Sequence, residues 1–107
     1  MASVLTKVQL EELRRRLEGE RTRILRVLQA PAPDSDREIE LEEAAQRATE
    51  RAHQLGVEAR ERALLGEVER ALAKLESGRY GVSEKSGAPI PYARLAAVPW
   101  ARTAVGE

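Results

Sequence analysis

The residues of this chain best suited to chemistry are the carboxylates of a short acidic segment. Residues 34–50 contain seven acidic and two basic side chains, a net charge of −5, and positions 34–43 form the main electrostatic feature. The candidate functional acids are Asp34, Asp36, Glu40 and Glu43. Two neighbouring carboxylates with water molecules can help to hold Mg²⁺. Helix capping and solubility are equally ordinary uses of such acids, so the pattern alone leaves both interpretations open.

Other side chains that commonly perform catalysis are scarce. The chain has no cysteine and a single histidine, His53. This excludes disulfides, thiolate metal sites, cysteine nucleophiles and a histidine-built metal cluster. No serine or second histidine stands at a spacing that suggests a catalytic dyad with His53. The sequence therefore predicts a protein that is not an enzyme and that uses no metal or cofactor.

The composition limits the architecture and the partners. The 107 residues make one small domain. A composition with 34% charged and only 3% aromatic residues favours long solvent-exposed helices over a packed β core. Eighteen basic and eighteen acidic residues cancel, so the basic field of a DNA-binding protein is absent. No apolar run reaches the roughly 20 residues of a membrane span, and the first residues lack the apolar core of a secretory signal. The expected location is the cytoplasm.

A first amphipathic helix is predicted from about Lys7 to Gln29. Thr6 is a suitable N-cap, and Gln9 three residues later completes a capping box. Apolar residues at spacings of three and four form one stripe, interrupted at residues 20 and 21. The stripe consists of Leu10, Leu13, Leu17, Ile24 and Leu28. One helix cannot bury its own apolar face, so a partner helix is required.

A second helix is predicted from about Arg37 to Glu76. The prolines at 31 and 33 end the first helix, and Ser35 with Glu38 forms another capping box. The predicted apolar stripe is Leu41, Ala45, Ala48, Ala52, Leu55, Ala59, Leu65, Val68, Leu72 and Leu75. Forty helical residues span about 60 Å, too long for a globule of this size. We therefore expect an antiparallel two-helix coiled-coil hairpin, residues 1–77, with its bend near residues 30–37.

The second helix is longer than the first by more than ten residues. Either its first turns extend past the first helix or another chain covers them, and the first alternative is preferred. Glycine and proline then break regular structure in residues 78–107, which we expect to form a small lobe with a short hairpin and a short helix ending before Pro99. Its expected core is Tyr80, Ile90, Tyr92, Leu95 and Trp100. A segment of this size does not fold alone, so it must lean on the helices.

Eleven residues of the segment 76–99 stand in a recognisable register. They are Glu76, Gly78, Tyr80, Gly81, Gly87, Ile90, Pro91, Arg94, Leu95, Ala97 and Pro99. This segment resembles the zinc-finger lobe of the bacterial DksA/TraR family, and the upstream hairpin fits the coiled coil of that family, so the resemblance covers nearly the whole chain. The zinc cysteines of the family fall on Ser83, Ser86, Ala104 and Glu107. None can be a thiolate, and neutral serine is a poor zinc ligand, so we expect a degenerate, zinc-free finger.

The resemblance implies a transcription regulator that binds RNA polymerase and not promoter DNA. Members of the family insert the coiled coil into the secondary channel, and acids at its tip modulate initiation. The tip pattern, two aspartates three apart and then an alanine, falls on Glu40, Glu43 and Ala45, while Asp34 and Asp36 lie nearer the predicted bend. Arg60, Arg62 and Arg94 are candidate polymerase contacts.

Two further expectations concern ligands and assembly. Members that bind ppGpp together with polymerase use basic residues at the positions of Glu67 and Val98. An acid would repel a polyphosphate, so we expect little or no ppGpp binding. The competing hypotheses are a coiled-coil adaptor or dimerisation module that has lost polymerase regulation, and a transcript-cleavage factor acting through the tip acids. A monomer is expected in preference to a dimer.

Overall fold

The computed structural model describes residues 5–29 and 41–106, and for residues 41 and 42 the backbone alone. Three helices account for most of these residues: α1 (Lys7–Gln29), α2 (Leu41–Ser77) and α3 (Tyr92–Ala97). Within the described ranges the β structure is limited to an isolated antiparallel bridge between Val82 and Pro89. The predicted mostly helical class is confirmed. None of the described helices is both long enough and apolar enough to cross a bilayer.

The capping box predicted for α1 is present. The backbone N–H of Gln9 donates to Thr6 Oγ1 (3.1 Å), and the backbone N–H of Thr6 donates to Gln9 Oε1 (3.0 Å). Each side chain thus satisfies a backbone donor that the helix itself leaves unpaired. The bounds of α1 agree with the prediction. The bend at 30–37, the cap at Ser35 and the predicted start of the second helix lie outside the described residues.

α1 and α2 pack in antiparallel directions. Ion pairs join Arg14 to Glu76 (3.4 Å) and Arg21 to Glu69 (3.5 Å), so positions advance along one helix as they recede along the other. Leu13, Leu17 and Ile24 of α1 are fully buried, and Val68 and Ala71 of α2 meet them in one core. The apolar stripe of α1 therefore has the partner that it requires.

The first turns of α2 extend beyond α1. Arg23 pairs with Glu61 (3.1 Å), which places the end of α1 level with about residue 55 of α2 by the helical rise. We call residues 43–56 the overhang. Its residues are exposed apart from the half-buried Arg47.

The apolar stripe predicted for the second helix is correct only in its second half. Val68 is buried, and Leu65, Leu72 and Leu75 pack against the core. From Ala45 to Ala59 the expectation is wrong, and the side chain of Leu41 lies outside what the structure describes. Leu55 is 57% exposed, and the alanines of this half are exposed as well. Those exposed alanines are Ala45, Ala48, Ala52 and Ala59. The reason is geometric, because most of these positions lie beyond the level at which α1 ends.

A Schellman motif ends α2 and turns the chain into the lobe. The N–H groups of Arg79 and Gly78 donate to the carbonyls of Lys74 (2.9 Å) and Leu75 (3.4 Å). Gly78 has φ +75°, a conformation that side chains with a Cβ rarely adopt. α2 thus ends at Ser77, one residue beyond the predicted end at Glu76.

The lobe shares the core of the two long helices. Tyr80, Ile90 and Leu95 are buried, and Tyr92 and Trp100 pack against them from partly exposed positions. All belong to the same apolar cluster as the buried leucines of α1. The expected hairpin is reduced to the bridge at Val82 and two flanking backbone hydrogen bonds. The lobe is therefore built onto the helices, as its small size requires.

Candidate functional site

The acidic site predicted for the start of the second helix is described only in part. Glu43 lies near the beginning of α2 and is exposed. Asp34, Asp36 and Glu40 lie outside the described residues. The overhang, which begins at Glu43, carries charges of both signs, including the exposed side chains of Glu50 and Arg51. This end of the molecule is thus a charged, solvent-exposed helix.

The three candidate arginines occupy different environments. Arg60 and Arg62 are exposed on α2 just beyond the overhang, and Arg62 makes one long ion pair with Glu58 (3.9 Å). An exposed pair of this kind contributes little to stability, so the guanidinium group remains accessible to a partner. Arg94 instead lies on α3 and is half-buried. Its Nε is buried without a hydrogen-bond acceptor among the described residues. Of the three candidates, Arg60 and Arg62 are therefore the ones whose side chains are exposed to a partner.

Residues 20 and 21, predicted to interrupt the apolar stripe of α1, make ion pairs. Glu20 accepts from Arg23 Nε (2.7 Å), while Arg21 reaches Glu69 across the helix interface. Arg23 also donates to both carboxylate oxygens of Glu61 (3.3 and 3.1 Å). The hydrogen bonds to Glu20 and then Glu61 raise the pKa of Arg23 further above its already high ordinary value. Ion pairs therefore link the two helices at and beside the interruption of the apolar stripe.

The first two positions of the family's zinc ligands, Ser83 and Ser86, lie in a turn whose backbone N–H groups are bonded by the two serine hydroxyls. Ser83 is 4% exposed, and its Oγ accepts the N–H groups of Lys85 (3.1 Å) and Ser86 (3.2 Å). Ser86 Oγ accepts the N–H of Ala88 (3.3 Å). These are the local hydroxyl-to-backbone bonds typical of serine in turns.

This donor set does not fit zinc. Ser83 and Ser86 are neutral hydroxyls already used by backbone N–H groups, Ala104 has a methyl group, and Glu107 lies outside the described residues. Tetrahedral zinc sites are built from thiolates, imidazoles and carboxylates. Over residues 5–29 and 41–106, no three histidine, cysteine, aspartate or glutamate side chains come together as metal ligands could.

The two positions matched to ppGpp contacts are engaged within the protein. Glu67 accepts a hydrogen bond from Arg102 Nε (2.8 Å) and a second, very short one from Arg102 Nη2. The hydrogen bonds to Glu67 raise the pKa of Arg102. Val98 is half-buried and caps α3 through its N–H, which donates to the carbonyl of Arg94 (2.8 Å). Neither position presents a free cation.

Glu84 is the charged residue that the sequence alone does not single out. Arg70 donates to both of its carboxylate oxygens (2.9 and 3.0 Å), and Lys74 forms a second, very short contact with it. The hydrogen bonds from Lys74 and then Arg70 lower the pKa of Glu84 to about 2. The one available signal was the spacing of Glu67, Arg70 and Lys74 by three and four residues, which places them on one face of α2.

Curated relatives match most of the length of the chain. The RNA polymerase-binding transcription factor DksA of Caulobacter vibrioides is 35% identical over 101 residues, which cover 91% of this chain and 71% of the relative. The chain belongs to the DksA family. The resemblance drawn from residues 76–99 is thereby confirmed.

Solved structures of the DksA family agree with this assignment. DksA2 from Pseudomonas aeruginosa matches with a TM-score of 0.56 and 34% identity, covering 91% of this chain and 69% of that one. The RNA polymerase binding protein and transcriptional regulator Dks from Chlamydia trachomatis matches with a TM-score of 0.61 and 25% identity, covering 94% and 84%.

A shorter match is to a stress protein. General stress protein 16O of Bacillus subtilis is 60% identical over 45 residues. The match covers 42% of this chain and 28% of that relative, so the chain spans under a third of its length. A comparison with models of known protein families finds none that matches.

Proposed function

We propose that this DksA-family protein is a transcription regulator that binds RNA polymerase. In this proposal the coiled-coil end of the α1–α2 hairpin enters the secondary channel and modulates initiation, and the protein does not bind DNA directly. The overhang of α2 is the observation that carries the proposal, because most of its residues are exposed. The names of the Caulobacter and Chlamydia relatives, which describe polymerase-binding regulators, support the choice of partner.

The dimensions and surface of α2 support an inserting element. The helix has 37 residues and spans about 55 Å at 1.5 Å per residue, while α1 has 23 residues and spans about 34 Å. An α-helix with its side chains is about 10–12 Å across, so the overhang is a narrow projection. A helical segment as short as the overhang, residues 43–56, is marginally stable in water when nothing packs against it, and enclosure by a partner would stabilise it.

The two regions of the chain have different roles in this proposal. Residues 1–77 are proposed as the inserting hairpin, and residues 78–107 as a zinc-free, finger-like lobe that docks at its base. Glu43, together with Asp34, Asp36 and Glu40, supplies the acting acids of the tip. Arg60 and Arg62 contact the channel rim, since they are exposed beside the overhang. Arg94 either stabilises the lobe or contacts polymerase from the surface of the lobe.

The proposal assigns no catalysis to the protein and no cofactor. The Caulobacter and Pseudomonas relatives are named transcription factors. We also propose that ppGpp does not act through the Glu67 position, because the carboxylate there is paired with Arg102 and would repel a polyphosphate. The zero net charge of the chain supports recognition of a protein in preference to DNA.

Binding to purified core RNA polymerase tests the proposal. A fluorescently labelled sample should bind saturably below tens of micromolar, and an unlabelled protein known to occupy the secondary channel should displace it. No binding in that range would refute the proposal. In a promoter transcription assay, Glu40→Ala/Glu43→Ala should lose the change in transcript yield that the unmodified protein produces.

A matched control removes two acids elsewhere. Glu11 and Glu18 are exposed on the part of α1 that lies toward the lobe end of the hairpin. Glu11→Ala/Glu18→Ala therefore removes the same charge and should keep both binding and the effect on transcription. Equal losses in the two double variants would show that net charge, and not the tip, determines the activity.

A coiled-coil adaptor is the second candidate function. The exposed Leu55 and the exposed alanines of α2 are the observation that favours it, because a second chain could cover this face. Sedimentation equilibrium separates the two proposals. A monomer at low micromolar concentration supports the polymerase regulator, whereas a stable dimer that Leu55→Lys dissociates supports the adaptor.

A further inference from the structure

Five charged side chains form a network between the lobe and α2, which we call the lobe clamp. Its members come from three separate parts of the chain: one face of α2, the turn after Val82, and the segment that follows α3. The members are Glu67, Arg70, Lys74, Glu84 and Arg102. The clamp therefore joins segments that are distant in sequence.

Glu84 is the centre of the clamp. Arg70 binds its carboxylate side-on through Nε (2.9 Å) and a terminal nitrogen (3.0 Å), and Lys74 binds it as well. Arg102 approaches the same carboxylate at 4.0 Å and makes its own two-bond pair with Glu67. Two planar arginines are thus held by two carboxylates, the geometry in which charged hydrogen bonds are strongest.

The clamp joins the two lobe segments that carry the positions of the family's zinc ligands. Glu84 directly follows Ser83, and its backbone N–H donates to the carbonyl of Arg102 (2.8 Å), two residues before Ala104. The side chains of the same two residues then connect both segments to α2. Because the donor set of the turn does not fit zinc, these segments are connected by other interactions, and the side chains of the clamp are among them.

The clamp contributes to the stability of the lobe because its ion pairs are connected in a network. Its side chains are between 18% and 50% exposed, and an isolated exposed ion pair is worth at most about 1 kcal/mol. Bidentate arginines arranged in a network are the exception to that rule. The clamp also contacts a segment with little core of its own, since between α2 and α3 the buried apolar side chains are those of Tyr80 and Ile90.

We propose that the lobe clamp performs in this protein the structural task of a metal site, closing the two lobe segments on each other and fixing them to α2. The inference concerns the lobe alone and does not depend on polymerase binding. It goes beyond the proposed function, since the clamp would be required whatever partner the overhang meets.

Hydrogen exchange of the full-length protein, followed residue by residue by NMR, tests the proposal. In Glu84→Gln, the amides of Ser83 and Ile90, both bonded within the lobe, should exchange about tenfold faster. The amides of Leu17 and Ile24 in α1 should be unchanged. Arg70→Gln, which leaves Glu84 and Lys74 in place, should give a smaller change at the same lobe amides.

The matched control is Glu61→Gln. It removes a carboxylate that also accepts two hydrogen bonds from one arginine, but at the other end of the α1–α2 interface. It should leave the lobe amides unchanged. Equal acceleration of the lobe amides in both variants, or no acceleration in Glu84→Gln, would overturn the proposal.

Rescue by a metal gives an independent test. The variant Ser83→Cys/Ser86→Cys/Ala104→Cys/Glu107→Cys places thiolates at all four positions of the family's ligands. Combined with Glu84→Gln, it should show fast lobe exchange without metal and recover the protection of the unmodified protein when zinc is added. Absence of any zinc-dependent recovery would overturn the idea that the clamp and a metal crosslink perform the same task.

Discussion

The substitution Leu→Ala should destabilise the protein strongly at Leu17 and only slightly at Leu55. Leu17 of α1 is fully buried in the core shared by α1, α2 and the lobe, whereas Leu55 in the overhang is 57% exposed. Leu→Ala removes about three carbon groups, each worth roughly 0.8 kcal/mol when buried, and a cavity adds to that loss. For Leu17→Ala we therefore expect a loss of about 3 kcal/mol in the free energy of unfolding.

Leu55→Ala should change stability by about 0.5 kcal/mol or less, because most of the side chain is already in water and alanine favours helix. Small domains unfold with free energies of about 5–15 kcal/mol, so the loss at Leu17 is a large fraction of the total. It corresponds to a fall of roughly 10–20 °C in the midpoint of thermal unfolding.

Urea and thermal unfolding followed by circular dichroism at 222 nm measure both effects. The measurement should be made at two protein concentrations, since the stability of a dimer depends on concentration. A loss at Leu55→Ala comparable to that at Leu17→Ala would refute the reasoning. It would mean that the overhang is buried in solution, as it would be if a second chain covered it.

Three other predictions address local interactions. Thr6→Ala should lower the free energy of unfolding by about 1 kcal/mol, because α1 loses its capping box, and Thr6→Ser should restore most of it in urea titrations. Tyr80→Phe should cost about 1 kcal/mol, because the O–H that donates to the carbonyl of Pro99 (2.8 Å) is lost. Burial raises the pKa of Tyr80 from 10.0 to about 12. The excess of the unfolding free energy over that of Tyr80→Phe should therefore disappear as pH rises from 10 to 12. An excess that persists at pH 12 would contradict the burial of the Tyr80 hydroxyl. The hydrogen bonds from Lys74 and Arg70 lower the pKa of Glu84 from 4.5 to about 2, so the stability that its carboxylate provides is present above pH 4.5 and is lost as pH falls through 2. The difference in unfolding free energy between the unmodified protein and Glu84→Gln should therefore narrow as pH falls over that interval. A constant difference would show that the ionised carboxylate does not stabilise the lobe.

Local sequence patterns predicted the helices because the interactions that define them are short-range. The apolar spacing and the box formed by Thr6 and Gln9 involve residues within a few positions of one another. The glycine at 78 ended α2 through its own backbone conformation. The residues of 76–99 that match the family motif also indicated the family, because their order and spacing can be read from the sequence without any tertiary contact.

The same local reasoning misplaced the first half of the second helix. Alternating alanines with Leu55 indicate a buried face, but burial requires a neighbouring helix at that level. The antiparallel register, visible in the pair of Arg23 with Glu61, places the end of α1 near residue 55. No pattern within α2 could reveal where its partner stops.

The sequence by itself determined that this is a helical member of the DksA family with an acidic segment before α2 and no cysteine to bind zinc. Only the tertiary structure decided what holds the lobe in place. Glu84 and Arg102 are ordinary surface charges in the sequence, and they acquire a role because folding brings them to one face of α2 beside Arg70 and Glu67. Ion-pair partners are selected by distance in space, and sequence spacing predicts that distance only within a single helix.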